Sequence, residues 1–379
     1  MSFFADQRSF RPRLTALAAA IVLATSGAAV ARVDRSASLV AAPHSWPLAY
    51  ERSAQVTPLR SRIDALRISR PAPENHVAAN LIVSNCADDG SAGSLRAAVD
   101  TAVSGDVIDM TALTCSRISL TNGALDIELD ELTLRGPGAT QLSIDGNDLD
   151  RVIYHPGSDA LRIENLTIEH GHYAASGNDI GFGGCIATAA DLTLTNSVVR
   201  DCTVIGEGAY GGGVLSGLLT MRSSTISGCT AFGDHPVYGT AAYGGGAFSY
   251  GVDMLDSTIS SNSATAAPNP LSHFEIAGGL FVAHNGGIIE RSTISNNYAV
   301  RFAGGFTQEG DLILRNSTVS GNSTRDDDGG GIRVRQVTAI TIENSTITNN
   351  HAGGGGGGIS FINFALPSTL QSSIIAGNS

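Results

Sequence analysis

The sequence predicts an all-β fold, a parallel β-helix wound from a single chain, and three observations lead to this prediction. A short unit recurs eight times from Asn165 onward, at intervals of 25 to 35 residues. Aliphatic residues in and beside the unit alternate with period 2, as in Ile340-Thr-Ile342, which is typical of strands. Clusters of glycine separate the units and would interrupt a helix. Repeats of this length, made of short strands, bury their apolar faces by stacking on one another.

The repeated unit starts with a polar or charged residue and reaches a corner position six residues later. Its eight copies start at Asn165, Asn196, Ser223, Asp256, Arg291, Asn316, Asn344 and Ser372. The corner position holds Gly171, Cys202 and Cys229 in the first three copies and asparagine in the other five, which are Asn262, Asn297, Asn322, Asn350 and Asn378. Because asparagine tolerates a sharp corner and its amide bonds along a stack, we expect these five side chains to form a ladder.

The N-terminal segment indicates export. Three arginines precede an apolar run from Leu14 to Val30, and Ala29-Val30-Ala31 matches a small-residue cleavage site. We therefore expect residues 1–31 to be a signal peptide, with a membrane anchor as the alternative. No other segment approaches the length of a transmembrane helix, so no membrane span is expected after cleavage. Residues 32–79 are rich in Arg, Ala and Pro and are interpreted as a linker or disordered stretch.

The β-helix domain is assigned to residues 80–379, and a short helix is expected to cover its first winding. The apolar residues of segment 94–102 follow helical spacing, and Ser94 suits the N-cap position. At the other end the sequence stops at Ser379, inside a repeat. We interpret this end as either truncated or covered by a partner, since a bare last strand invites association.

The composition fits a thin solenoid core and narrows the possible chemistry. The chain has 45 glycines and 6% aromatic residues, and all 23 of its lysine-plus-arginine positions are arginine. Without lysine, catalysis through a lysine base or a Schiff base is excluded. Residues 1–80 carry ten arginines against five acidic residues, whereas residues 81–379 carry thirteen against thirty. The acidic β-helix domain argues against nucleic acid as a partner.

Five cysteines in an exported chain suggest at least one disulfide. Cys86 and Cys115 bracket the first ordered segment and are predicted to pair. Cys202 and Cys229 hold the same place in adjacent windings, so they are either bonded to each other or reduced and buried. Cys185 is then left without a partner.

The domain opens with Asn85-Cys86, continues through Gly93-Ser-Leu-Arg-Ala-Ala98 and reaches Leu134-Arg-Gly-Pro-Gly138 and Ile144-Asp-Gly146. These segments resemble the start of bacterial right-handed β-helix repeat proteins of the pectin-lyase-like superfamily. The glycine clusters and Asn-Ser-Thr-Ile units are similar to the polymorphic outer-membrane protein type of repeat. The resemblance covers residues 81–379 and implies a right-handed solenoid of about ten windings. It also implies a place at the cell surface, in the outer membrane or outside a Gram-negative bacterium.

The same superfamily contains polysaccharide lyases and glycoside hydrolases, so the resemblance raises an enzymatic alternative that acts on an acidic polysaccharide such as pectin. Its lyases use an arginine or lysine base beside acids that bind Ca²⁺, and its hydrolases use close carboxylates. The nearest match is Asp326, Asp327 and Asp328, with Arg325 beside them and Arg333 on the next strand. This acidic run is either a weak Ca²⁺ site or a solvated loop, and we assign no catalytic residue.

Two further groups of polar residues are weighed as metal ligands and set aside. His170 and His172 share one face of a predicted strand, a spacing that zinc accepts, but no cysteine or carboxylate set at ligand spacing accompanies them. A structural role at the corner is the preferred interpretation. Asp145 and Asp148 are interpreted as turn residues.

Insertions in the repeats point to a binding face. The three long inserts are residues 203–210, 230–243 and 263–277, and all lie between a corner and the next glycine cluster. In a solenoid such insertions map to one face, which is often the binding face. Their candidate binding residues are Tyr210, Phe232, His235, Tyr238, Tyr243, His273 and Phe274. Aromatic rings beside polar groups suit a sugar or protein surface, and the alternative is that the rings pack on one another to hold the inserts down.

We therefore expect an exported cell-surface or secreted protein with an adhesin-like, non-enzymatic role. Its expected partner is an extracellular carbohydrate or protein, bound by the aromatic inserts. No cofactor is expected apart from the weak Ca²⁺ site at the three aspartates.

Overall fold

A computed structural model of the chain describes residues 77–177, 179–234, 240–267, 273–335, 339–362 and 368–379. The predicted signal peptide and nearly all of the predicted linker lie outside these ranges. The described part contains one helix, α1 at Leu95–Thr101, and strands that form four sheets. The strand pairs in these sheets are parallel and join successive windings of the chain, here called rungs. The predicted all-β parallel β-helix is confirmed.

The largest sheet, sheet A, has 18 strands and takes two strand positions from most rungs. Its strands are β1 (Asn80–Ile82), β2 (Val107–Asp109), β4 (Leu125–Asp126), β5 (Leu132–Arg135), β7 (Ile153–His155), β8 (Leu161–Glu164), β12 (Ile186–Thr188), β13 (Leu192–Thr195), β17 (Val214–Arg222), β21 (Ala247–Leu255), β25 (Leu280–Val282), β26 (Gly287–Glu290), β29 (Phe306–Glu309), β30 (Leu312–Arg315), β33 (Ile332–Arg335), β34 (Ile340–Glu343), β37 (Ile359–Ile362) and β38 (Ser368–Gln371). The long strands β17 and β21 span both positions without a break.

Sheet B has ten strands, and the last eight of them come from the eight copies of the repeated unit. They are β3 (Arg117–Ser119), β6 (Ser143–Asp145), β9 (Thr167–Glu169), β14 (Val198–Arg200), β18 (Thr225–Ser227), β22 (Thr258–Ser260), β27 (Thr293–Ser295), β31 (Thr318–Ser320), β35 (Thr346–Thr348) and β39 (Ile374–Ala376). The middle residues Ile259, Ile294 and Val319 pair in register and are at most 1% exposed. The period-2 pattern therefore places one aliphatic column in the core, as predicted.

Sheets C and D hold the segments that follow the corners. Sheet C has β10 (His172–Ala174), β15 (Thr203–Gly206), β19 (Thr230–Gly233), β23 (Ser263–Ala266), β28 (Tyr298–Ala299), β32 (Ser323–Thr324) and β36 (His351–Ala352). Sheet D has β11 (Gly181–Phe182), β16 (Gly208–Tyr210), β20 (Thr240–Tyr243) and β24 (His273–Ile276).

The long inserts are therefore stacked strands, where the sequence suggested loops. In each insert a strand of sheet C leads out and a strand of sheet D leads back, and the two layers form a projection that we call the fin. Small side chains fill the space between its layers and are fully buried: Val204, Ala209, Ala231, Ala242 and Ala264. Because alanine contributes so little volume, the two layers approach closely and the fin is thin.

The helix α1 covers the first rungs, as predicted. The Ser94 hydroxyl accepts a hydrogen bond from the Ala97 amide at 3.2 Å, and Leu95 and Val99 are buried in the solenoid core. A disulfide joins Cys86 to Cys115 with a Cα separation of 6.5 Å. It ties the segment before α1 to the segment after β2. In the described residues no helix has the length and apolar content needed to cross a membrane.

The asparagines at the corners form the expected ladder. The side-chain oxygen of Asn322 accepts from both the backbone amide and the side-chain amide of Asn297, each at 3.0 Å. The side-chain amide of Asn322 in turn donates to Asn350 at 2.9 Å and to the Ile294 carbonyl at 2.9 Å. Every polar atom of this buried amide is thus bonded, which makes the ladder stabilising.

The cysteine pairing differs from both alternatives left open for Cys202. Its sulfur is bonded to Cys185, with a Cα separation of 5.5 Å, and Cys229 is a buried free thiol. The proposed Cys202–Cys229 bond is therefore wrong. Cys185 occupies the place that Gly213 holds in the next rung, directly across from the corner, so the disulfide closes one rung on itself.

Candidate functional site

Two columns of rings face each other where the fin meets sheet A. Phe182, Tyr210 and Tyr243 pair in register along sheet D. Phe248 and Phe281 pair in register on the outer face of sheet A, from strands β21 and β25. We call these five residues the aromatic seam.

The rings of the aromatic seam contact one another across the junction. Tyr210 stacks on Tyr243 with centroids 4.8 Å apart, and Phe248 stacks on Phe281 at 5.2 Å. Edge-to-face contacts at 5.3 Å and 5.5 Å join Tyr210 to Phe248 and Tyr243 to Phe281. Such pairs contribute about 0.5–1.5 kcal/mol each beyond the area they bury, so the seam fastens the fin to the solenoid.

The tyrosines of the seam keep part of their surface exposed. The three phenylalanines are at most 7% exposed, whereas Tyr210 and Tyr243 are half-buried. Burial, followed by the neighbouring Tyr243, Tyr250 and Glu207, raises the pKa of Tyr210 well above its usual value. Its phenol therefore stays protonated at neutral pH and acts as a neutral hydrogen-bonding group beside an apolar ring.

Of the other five candidate binding residues, the structure describes the side chain of Phe232 alone. Phe232 is half-buried on the opposite face of the fin, between Ile205 and Thr265 in the register of sheet C. His273 and Phe274 lie on β24, but the structure does not describe their side chains, and His235 and Tyr238 lie outside the described residues. Among the three predicted residues whose side chains are described, Tyr210 and Tyr243 lie together and Phe232 lies apart from them.

A group of charged residues continues the same face toward the C-terminal rungs. Arg333 follows Phe281 and Thr307 in the outward column of sheet A and is 6% exposed. Its guanidinium carbon lies 4.1 Å from the centroid of the Phe302 ring, and Phe302 pairs with Ile276 at the end of sheet D. The aromatic seam thus leads directly to a buried cation.

Carboxylates lie near this cation without forming close hydrogen bonds to it. Asp328 Oδ1 is 3.6 Å from Arg333 Nε, and the other oxygen of Asp328 accepts from the Ser360 hydroxyl. Burial, and then the like charge of Arg335, lowers the pKa of Arg333 to about 10. The group remains a cation at neutral pH, but its charge is poorly compensated.

The three successive aspartates have separate partners. Asp326 pairs with Arg325 at 2.7 Å, Asp327 pairs with Arg301 at 2.7 Å, and Asp328 faces Ser360 and Arg333. Among the described residues, these carboxylates do not meet within the short distances that a shared cation needs.

A different cluster of ligand-type residues lies on sheet B. Asp145, Glu169 and His170 are the group in the described chain whose ligand atoms approach within 4.8 Å of one another. Arg117 lies 2.7 Å from Asp145, His170 Nδ1 lies 3.2 Å from the same carboxylate, and Arg200 pairs with Glu169. Since two arginines already compensate two carboxylates, we interpret this cluster as an ion-pair network.

Sequence reasoning missed the ion-pair network and three of the five residues of the aromatic seam. Asp145, Glu169 and Arg200 occupy one register position of sheet B, a match that aligning the repeats would have shown. The same alignment would also have shown that one position, two residues after the last glycine of a cluster, forms the outward column of sheet A. This position holds Phe248, Phe281 and Arg333.

The comparisons with known proteins address the fold. Residues 216–379 match the family model described as "Right handed beta helix region". No curated protein and no solved structure matches the chain.

Proposed function

The chain is a right-handed β-helix, and we propose that it acts as an exported, non-enzymatic binding protein of the bacterial surface or surroundings. Its ligand is an extended carbohydrate that lies along the junction of the fin and sheet A. The observation that carries this proposal is the aromatic seam, in which Tyr210 and Tyr243 stack one rung apart and keep part of their surface exposed. Sugar rings pack their apolar faces on such aromatic surfaces, and the phenol hydroxyls supply hydrogen bonds.

The rigidity of the platform supports a binding role. Parallel pairing holds the tyrosines at the spacing of the rungs, and the buried layer of small side chains packs the two layers of the fin together. A surface that is ordered before binding loses little conformational entropy when the ligand arrives.

Export is supported by the sequence of the first 31 residues and by the two disulfides. Cys86–Cys115 and Cys185–Cys202 are bonds that persist in oxidising compartments. The acidic character of residues 81–379 suits a solvated surface outside the cell.

The proposal is tested by applying the secreted protein to an array of neutral and acidic oligosaccharides and measuring the affinity of each hit by titration calorimetry. Tyr243→Leu keeps apolar volume but removes the ring face, and we expect it to weaken binding about tenfold. The matched control is Phe232→Leu, which changes a ring on the opposite face of the fin. Binding that depends on Phe232 and ignores Tyr243 would place the ligand on the wrong face. Binding to a protein in place of any glycan would refute the carbohydrate assignment.

A further inference from the structure

Arg333 is buried without a full set of hydrogen-bond partners. It is 6% exposed, and its Nε and Nη1 donate to no acceptor in the described residues. The nearest carboxylate oxygen, from Asp328, lies at 3.6 Å, which is beyond hydrogen-bonding distance. The negative charges of Asp328, Glu309 and Asp327 compensate the guanidinium in part, but they leave these two buried donors without a hydrogen-bond acceptor, which costs free energy.

A second unpartnered group lies directly beneath it. Thr307 pairs in register with Arg333 from the preceding rung, is fully buried, and has a hydroxyl with no hydrogen-bond partner in the described ranges. Both side chains belong to the outward column of sheet A, so their free donors lie on the same side of the sheet. Packing of the core does not explain why two neighbouring residues of this outward column both keep hydrogen-bond donors without acceptors.

The surroundings restrict how a partner can approach. The Phe302 ring covers one face of the guanidinium, with its centroid 4.1 Å from the central carbon. An acceptor must therefore come in the plane of the guanidinium, where its N–H groups point. Ser360, which is only partly buried, lies in register with Arg333 in the following rung and is bonded to Asp328, so a ligand that approaches from this side must displace these two side chains.

We propose that Arg333 and Thr307 form an oxyanion subsite that binds a carboxylate or sulfate group carried by the ligand. The proposal deepens the proposed function by giving the ligand an acidic group next to the part that packs on the aromatic seam. Two oxygens of a carboxylate or of a sulfate group match the guanidinium fork, and a hydroxyl donor from the adjacent rung adds a third hydrogen bond.

The first test uses small anions and does not require the natural ligand. The melting temperature of the full secreted chain is measured in acetate, sulfate and chloride at equal ionic strength. We expect acetate or sulfate to raise it by about 2–4 °C more in the wild type than in Arg333→Met. General salting-out by sulfate acts on both proteins equally and cancels in this difference.

Arg325→Met is the matched control, since Arg325 is exposed and paired with Asp326 near the same corner. It should keep the full response to the anions. In chloride alone, Arg333→Met should melt at or above the wild-type temperature, because it removes a poorly compensated buried charge. A lower melting temperature in chloride together with an unchanged anion response would show that Arg333 is structural, and would overturn the proposal.

The second test looks for a gain of affinity. Asp328→Asn removes a negative charge 3.6 Å from the guanidinium, so we expect it to tighten acetate or sulfate binding several-fold. Thr307→Val keeps the shape of the side chain, removes its donor and should weaken binding by a similar factor. Equal affinity in all three proteins would overturn the assignment of these residues.

Failure of the subsite and failure of the proposed function give different results. If a neutral oligosaccharide binds through Tyr243 and its acidic counterpart binds no better, the subsite is wrong and the carbohydrate platform stands. If the rise in melting temperature with acetate or sulfate depends on Arg333 but no oligosaccharide binds, the subsite stands and the proposed function is wrong.

Discussion

The corner position is stabilised by different bonds in the early and the late rungs, by a disulfide in one early rung and by asparagine side chains in the late rungs. From Asn262 onward, each corner is held by an amide that bonds to the amides above and below it. In the earlier rung the same place holds Cys202, which bonds covalently across the rung to Cys185. The asparagine hydrogen bonds join neighbouring rungs, whereas the disulfide joins two points of a single rung. The late rungs are therefore stabilised against separating from one another, and the early rung is stabilised against opening.

Cys229 lies at the boundary between these two regions. Its backbone amide donates to the Asn262 side-chain oxygen at 2.9 Å, so it begins the asparagine ladder. Its thiol is buried, and this burial raises its pKa to about 12. The thiol therefore stays protonated and unreactive at neutral pH, although a disulfide lies in the adjacent rung.

The asparagine ladder should show the largest effect when it is broken. In this buried site, Asn322→Ala leaves the backbone and side-chain amides of Asn297 without an acceptor and the Ile294 carbonyl without its donor. We expect a loss of about 3 kcal/mol in the free energy of unfolding, measured by denaturant titration. Ser320→Ala, on the outward face of the same rung, is the control and should change stability by less than about 0.5 kcal/mol. Equal losses in the two variants would show that the ladder contributes nothing special.

The early rungs should also lose stability in mild acid, through the buried side chain of His155. His155 bonds through Nε2 to the Leu129 carbonyl at 2.8 Å and through Nδ1 to Thr188 at 2.8 Å. The carbonyl can only accept, so Nε2 carries the proton and Nδ1 accepts from the Thr188 hydroxyl. Burial lowers the pKa of His155 below its usual value of 6.5, and the folded state holds the ring neutral.

The sign of this pH effect follows from the lowered pKa. As pH falls below about 6.5, the unfolded chain binds a proton that the folded chain refuses, so stability drops by up to about 1.4 kcal/mol per pH unit until the folded pKa is reached. Above that window the contribution is complete. His155→Gln should remove the slope between about pH 7 and pH 5.5 in thermal melts. A variant with the wild-type slope would assign the effect to other groups.

The smallest expected effect comes from extending the early chemistry by one rung. A Cβ built on Gly213 would lie 2.9 Å from the Cys229 sulfur and 2.8 Å from the Gly246 carbonyl oxygen, which must shift slightly, and Gly213 occupies the position of Cys185. Gly213→Cys should therefore form a second rung-closing disulfide and add about 1 kcal/mol of stability, since engineered bonds rarely give the full entropic gain. Mass spectrometry without reductant detects the bond. Gly213→Ala is the control for the added carbon, and two titratable thiols in the denatured variant would contradict the geometry.

The parts of the fold that follow from local pattern could be predicted from the sequence. Alternating residues such as Thr258-Ile-Ser260 set both the strand and its buried side, and Asn262 at the corner sets the ladder. The cap at Ser94 followed from its spacing to apolar residues. Each of these inferences needs only the physics of one rung and its direct copy.

The parts that depend on alignment between rungs could not be read in the same way. Cys185 pairs with Cys202 because it takes the place of a glycine that faces the corner from the other side of the rung. The residues around Cys185 in the sequence do not show that it lies close to this corner. The fin was not foreseen as sheet because its strands, such as Ala241 and Ala242 in β20, are rich in alanine, which has low strand propensity. Stacking on the rung below supplies the order that propensity does not.

The Cys185–Cys202 bond also has a mechanical consequence. In a solenoid each rung contacts only its neighbours, so unfolding can start at an end and proceed one rung after another. The covalent crossing ties the two sides of its rung together, so fraying that travels along the rod from either direction must halt there while the bond is intact. A reductant would remove this stop and let the opening run through.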